Sequence, residues 1–278
     1  MIQIAPTKGW VVTHSLPQNF INTAITVTAN SPFADAIRAE FHRRKPKKII
    51  ETGTFEATGT TWIIHMAMYE AGITDADFIT MECNHINYGK ALGNINQRQM
   101  RVRAFLALSV PRWMLPTKRQ IQTDCVETVR DGVFIDFYDQ DRAEQYWNET
   151  ANPMIPDDFL GMSMAWFGGR PDFVLMDSSG HLGKIEFDYL MTLMKGPCTI
   201  AMDDTLHFKN IDSLAAAKAD PRFSVIAEGP DKFGWALVRF DPVPVGFDEH
   251  AATGGKLTEH ASGAAMGLIA EGAELANI

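Results

Sequence analysis

The sequence predicts a doubly wound α/β fold on a mostly parallel, seven-stranded sheet whose final strand runs antiparallel. Short apolar runs alternate with helical segments, the pattern of a parallel sheet covered on both faces. The last two runs, FSVIAEG and GWALVRF, are separated only by PDKFG and read as an antiparallel pair. Several strand ends carry carboxylates: Glu51, Glu82, Asp177 and the Asp203/Asp204 pair. In open α/β sheets ligands bind beyond the carboxyl ends of the strands, so these acids mark the candidate site.

Residues 1 to 30 are mixed, with strand-like pieces in WVVTH and AITVTA. A helix follows from Ser31 or Pro32 to about Arg44. Ser31 can cap it, Pro32 fits its first turn, and Phe33, Ile37 and Phe41 recur every four residues. Pro46 ends it. Ile49 and Ile50 begin a strand that stops at Glu51. A Gly/Thr loop leads into a helix over about 58–71. DFITMEC is the second strand, a helix spans about 86–99, and the third strand lies within MRVRAFLALS. The alternation resumes with a strand at Phe173–Met176, a helix over about 182–194, a strand in CTIAMDDTLHFKN and a helix over about 211–219. Parallel neighbours require right-handed crossovers.

Two segments break the repeat. Residues 120–168 form a long insertion, and from Asp124 to Asp158 it carries ten acidic residues against two arginines. Such a connection reads equally as a lid over the site or as a solvated helical excursion. Seven basic residues precede it between Glu82 and Asp124, and they read as a solvated surface facing those acids. The tail from Val245 is rich in Ala and Gly and reads as peripheral. The expected organisation is an N-terminal arm and helix (1–45), a catalytic domain (46–244) and a tail (245–278).

Composition narrows the function. The chain has 278 residues, 46% hydrophobic and 21% charged, which excludes a disordered chain. A net charge of −9 argues against nucleic acid as a partner. Cys83, Cys125 and Cys198 are too scattered for a zinc site or a disulfide framework. No signal peptide and no apolar run of membrane-spanning length is visible. The expectation is a soluble cytoplasmic protein acting on a small molecule, with the arm or the tail available for pairing with a second copy.

The turn ETGTFEATG follows the first strand. Gly53 allows close backbone approach to a ligand, and Thr54 and Phe55 follow it in the turn. The spacing is not G-x-G-x-x-G, because Phe55 and Glu56 stand where glycines would, and there is no GK[ST]. Glu56 would repel a diphosphate, so a cation or zwitterion suits the turn better. Glu82 ends the second strand 29 positions after Gly53, the place of a ribose-binding carboxylate. Asp177, Asp203 and Asp204 would converge at one rim, where like charges need a shared cation or proton. A divalent ion such as Mg²⁺ is the simplest candidate, against a reading in which one acid caps a helix and another faces water. His181 and His207 each lie four residues after an Asp and are candidate bases.

With these residues in hand, the chain resembles the class I S-adenosylmethionine-dependent methyltransferases. The likeness is strongest to bacterial small-molecule O-methyltransferases and the cephalosporin-hydroxylase-like branch. KKIIETGTFEATGTT resembles their first motif and FITMEC their second. ALSVPRWMLP resembles the adenine-packing loop, with Ser109 and Val110, while DFVLMDSSGH and CTIAMDDTLH resemble the fourth and fifth strand ends. The resemblance implies a Rossmann-like fold over about 46–240. It also implies S-adenosylmethionine held by Glu51, Gly53, Thr54, Phe55, Glu82, Ser109, Val110 and Asp177. Catechol-type members imply Mg²⁺ on Asp177, Asp203 and Asp204. The chain departs from the family in two places. Ala57 stands where the first motif has a glycine, and Gly180 stands where catechol-type enzymes have a catalytic lysine, leaving Lys184 in reserve. The expected activity is methylation of a hydroxyl on a sugar or secondary metabolite, Mg²⁺-assisted, with His181 or His207 as base. Three alternatives stay open: an NAD-dependent oxidoreductase, a non-catalytic binding protein of the same fold, and a methyltransferase without metal.

Overall fold

The structure is a computed structural model, and it describes residues 27–121, 140–178 and 182–243. The WVVTH segment, the stretch before Gln140, His181 and the tail lie outside the described residues.

The first helix, α1 (Pro32–Arg44), forms where the capping pattern places it. The Ser31 hydroxyl accepts from the Ala34 N–H at 3.2 Å, and Lys45 closes the helix in a left-handed conformation. Strand β1 (Lys48–Thr52) leads through the Gly53 turn into α2 (Thr60–Glu70), then β2 (Asp77–Glu82), α3 (His85–Gln97) and β3 (Arg103–Leu106). A short 3₁₀ turn (Arg112–Met114) precedes the insertion, which holds α4 (Gln140–Ala151) and α5 (Phe159–Trp166). Then come β4 (Phe173–Met176), α6 (Gly183–Leu193), β5 (Cys198–Asp203), α7 (Ile211–Ala219), β6 (Phe223–Gly229) and β7 (Trp235–Phe240).

The seven strands lie in the order β3-β2-β1-β4-β5-β7-β6. β1 to β5 are parallel, and β7 runs antiparallel to both β5 and β6. The predicted closing pair and antiparallel last strand are therefore present. The winding reverses at the β1/β4 junction, the place where such sheets open a crevice.

Alternate residues of the central strands feed two cores, as the period of two requires. Ile49, Phe173 and Leu175 join one core with Phe33, Ile37 and Phe41 of α1 and Ile63, Ile64 and Ala67 of α2. Ile50, Val174 and Met176 join the other, with Leu160 and Met164 of α5 and Phe187 and Leu190 of α6. The Phe41 ring meets Phe173 edge-on at 5.0 Å, and Phe33 stacks on Trp235 at 5.4 Å.

The insertion is tied to the sheet by backbone bonds. Leu108 N–H donates to Pro156 O at 2.8 Å, and the N–H groups of Phe159 and Leu160 donate to Leu108 O and Ser109 O. Just past β3, Ala107 N–H still donates to Glu82 O, and from Leu108 onward the chain bonds to this segment instead. Part of the basic stretch does face the insertion: Lys118 pairs with Glu144 at 2.8 Å, and the Arg112 guanidinium donates to Thr150 O and Ile155 O. Arg103 lies over the Trp166 ring of the insertion and also pairs with Asp77, while Lys90, Arg98 and Arg101 are engaged elsewhere, with Glu56, Trp62 and Thr74 O.

Candidate active site

A groove opens beyond the carboxyl ends of β1 to β4. It is lined by Gly53, Phe55, Met81, Glu82, Cys83, Ala107, Leu108, Ser109, Asp177, Ser178 and Leu182. The turn after β1 makes one wall. The N–H groups of Gly53 and Thr54 both donate to Met81 O, at 3.0 and 3.1 Å. Gly53 has φ +79°, and a Cβ there would sit 2.3 Å from the Asp177 carbonyl oxygen. Only glycine lets this turn lie against the end of β4. Phe55 and Ala57, which stand where a glycine-rich turn would have glycines, both adopt left-handed backbone, at φ 51° and 57°. Each carries a strain of roughly 1–2 kcal/mol for that conformation.

Glu82 forms the opposite rim. Its two carboxylate oxygens accept from Phe55 N–H at 2.7 Å and Asn84 N–H at 2.8 Å. Desolvation raises its pKa to about 7, against the lowering effect of these N–H groups. Glu51 takes a different position from the expected one. It is fully buried beneath α2 and is absent from the groove lining. Its Oε2 accepts from Thr61 at 2.7 Å and Thr80 at 2.8 Å, and Thr80 in turn contacts the Thr54 hydroxyl at 2.6 Å. Glu51 and Thr54 therefore brace the turn from behind. Burial pushes the Glu51 pKa up to about 7 as well. Ser109 lines the groove, while Val110 is fully buried behind it.

Asp177, Asp203 and Asp204 do come together, each offering an oxygen within 4.8 Å of the others. Two lysines are already among them. Lys209 Nζ lies 2.6 Å from Asp177 Oδ1 and 2.9 Å from Asp204 Oδ2. Lys232 Nζ lies 3.2 Å from Asp204 Oδ1 and also bonds Asp203 Oδ2. Burial opposes the Asp204 charge, but these two ammonium groups outweigh it and hold the carboxyl below its ordinary range. Burial, then Asp204 and Asp177, push Asp203 up.

No family model matches the chain, and no curated protein matches it. Solved structures do align with it. One is the O-methyltransferase TomG from Streptomyces achromogenes, involved in tomaymycin synthesis and solved with SAM. It shows 11% identity over 77% of this chain and 82% of that one, at a TM-score of 0.46. A Bacillus cereus O-methyltransferase solved with SAH shows 14% identity over 76% and 82%, at a TM-score of 0.41. A Geobacter sulfurreducens methyltransferase shows 11% identity over 78% and 82%, at a TM-score of 0.47. Independently of these distant likenesses, the strand order and the reversed β7 decide the fold. The chain has a Rossmann-like, doubly wound α/β fold with an antiparallel closing strand.

The resemblance implies two groups, and they fare differently against these residues. S-adenosylmethionine suits the groove: a cradle that only Gly53 permits, a carboxylate at Glu82, and a second carboxylate at Asp177 for a cationic ligand. Mg²⁺ does not suit the acid cluster. It needs about six oxygens near 2.0–2.1 Å, whereas here one oxygen each of Asp177 and Asp203 and both of Asp204 lie against two ammonium nitrogens. Asp177, Asp203 and Asp204 thus converge as expected, and lysine ammonium groups lie among them where the expected Mg²⁺ would bind.

His207 is buried beside this cluster, outside the groove lining. Its Nδ1 accepts from Lys209 N–H at 3.2 Å, and its ring lies against Phe208. Lys209 and Lys232 were not singled out in the sequence. Lys209 falls in the stretch CTIAMDDTLHFKN, which reads as strand although β5 ends at Asp203, and Lys232 falls in the hairpin turn PDKFG. The available signal was the demand of three converging acids for positive charge, which a side chain can meet as well as an ion.

Proposed function

We propose that this protein transfers the methyl group of S-adenosylmethionine to a hydroxyl of a small molecule, a sugar or secondary metabolite, without a metal ion. The observation that carries this reading is the groove, where the Gly53 turn, Glu82 and Asp177 meet at the sheet's switch point. S-adenosylmethionine supplies a methyl group made electrophilic by its sulfonium. In our reading, Glu82 accepts from the ribose hydroxyls, Ser109 borders the adenine, and Asp177 faces the donor's cationic end. The protein's contribution is then mainly alignment, which can account for several kcal/mol of a displacement barrier. As the acceptor oxygen bonds to the methyl carbon, the carbon–sulfur bond breaks and the hydroxyl proton leaves to a base. His181, four positions after Asp177, is our candidate for that base. His207, buried against Phe208 and bonded to Lys209, is better suited to shaping the turn.

The proposal assigns the chemistry to residues 46–244 and places the protein in the cytoplasm. Cys83 and Cys198 are free thiols, which suits a reducing compartment. Among the described residues no helix is long and apolar enough to cross a membrane. Titration with S-adenosylhomocysteine tests the reading. Saturable binding that weakens in Glu82→Gln supports it. Binding of NADH in its place selects an oxidoreductase, and binding of neither rejects both.

A further inference from the structure

We propose that Lys209 is a resident cation: its ammonium fills the position toward which Asp177, Asp203 and Asp204 converge, and it excludes a divalent ion from this rim. Nζ touches one oxygen of Asp177 and one of Asp204, and the Lys209 side chain is only 6% exposed. Lys232 supplies a second ammonium to Asp204 and Asp203. A dication placed among the acids would sit against both of these positive groups, and the repulsion opposes its entry.

The backbone under Lys209 is fixed as firmly as the side chain. Gly183 approaches so closely that a Cβ there would lie 2.1 Å from Lys209 O. The neighbouring Asn210 amide donates to Asp203 O at 2.7 Å and to Met176 O at 3.4 Å, which joins the ends of β4 and β5 beneath the lysine. His207 Nδ1 accepts the Lys209 N–H. Such a lysine is built in, whereas a flexible surface lysine would reach the acids only by chance. Of the three acids, Asp177 is the one that lines the groove. Lys209 is thus a positioning residue that acts through Asp177: it aims this carboxylate as a coordinated metal would.

This inference concerns the rim itself, and its test runs without methyl donor. The full-length protein is titrated with MnCl₂, following free Mn²⁺ by electron paramagnetic resonance and heat by calorimetry. Wild type is expected to bind no Mn²⁺ in the submillimolar range. Lys209→Ala, which leaves three acids facing one remaining ammonium, is expected to bind it at least about tenfold more tightly. Should that variant fail to fold, Lys209→Met keeps the stem without the charge and is expected to show the same gain. Submillimolar binding by wild type overturns the proposal. So does a folded Lys209 variant with no gain, because the acids would then not define a cation position. S-adenosylhomocysteine titration in parallel, with EDTA or with MgCl₂, reports separately on the methyltransferase reading. Loss of that binding would reject the function and leave the Mn²⁺ result standing.

Discussion

The turn after β1 depends on a missing methyl group. Gly53→Ala must move either the turn or the Asp177 carbonyl, because the added carbon would lie 2.3 Å from that oxygen in a left-handed conformation. We expect a loss of about 2 kcal/mol or more, a fall in Tm of roughly 4–8 °C, and lost S-adenosylhomocysteine binding, read by thermal melts and calorimetry. Glu82 offers a pH test. Its pKa lies near 7, so the carboxylate needed to accept ribose hydroxyls is the minor form at pH 6 and the major form at pH 8. Affinity for S-adenosylhomocysteine should therefore rise roughly tenfold between those values and should be flat in Glu82→Gln. Residues of this kind were legible in the sequence, because a strand end followed by glycine, and a second strand end carrying an acid, are local patterns. Lys209 was not legible. Its partners lie 32 and 5 positions away, and nothing local says that a lysine will be buried.

At the level of elements, α1 reads directly from its sequence, since cap, first-turn proline and period of four all fall within thirteen residues. Its contribution is large because it covers the sheet. Phe41→Ala removes a fully buried ring facing Phe173, and it should cost about 3–5 kcal/mol in denaturant unfolding. Ser31→Ala should cost only about 1 kcal/mol, the cap alone. The insertion was harder. Its composition reads equally as a lid or a solvated excursion, and α5 packs into the core through Leu160 and Met164. The bonds that fix it join residues 108–109 to 156–160. Such a register depends on loop closure, and no periodicity within either segment records it.

For the whole molecule, buried carboxyls set the response to pH. Glu51 and Glu82 both have folded pKa values near 7, above the ordinary 4.5. The folded state therefore binds more protons than the unfolded chain between those values. Stability is highest below about 4.5 with respect to these groups and is lost as pH rises through 7. Tm should fall between pH 5 and pH 8, and Glu51→Gln should flatten the fall. Ligand should act in the opposite direction. S-adenosylhomocysteine at about 100 times its Kd should add about 2.7 kcal/mol, readable as a higher melting temperature.

The placement of Asp177 beside Gly53 also governs when the groove can exist. The two residues are neighbours across the β1/β4 junction but stand 124 positions apart. During synthesis β1, β2 and β3 leave the ribosome long before β4 does. A nascent chain halted within the insertion has the glycine turn and Glu82 but lacks the side of the groove formed by Asp177, Ser178 and Leu182. It would therefore have no groove to offer a ligand, and stabilisation by the methyl donor becomes available only after the fourth strand has emerged and docked.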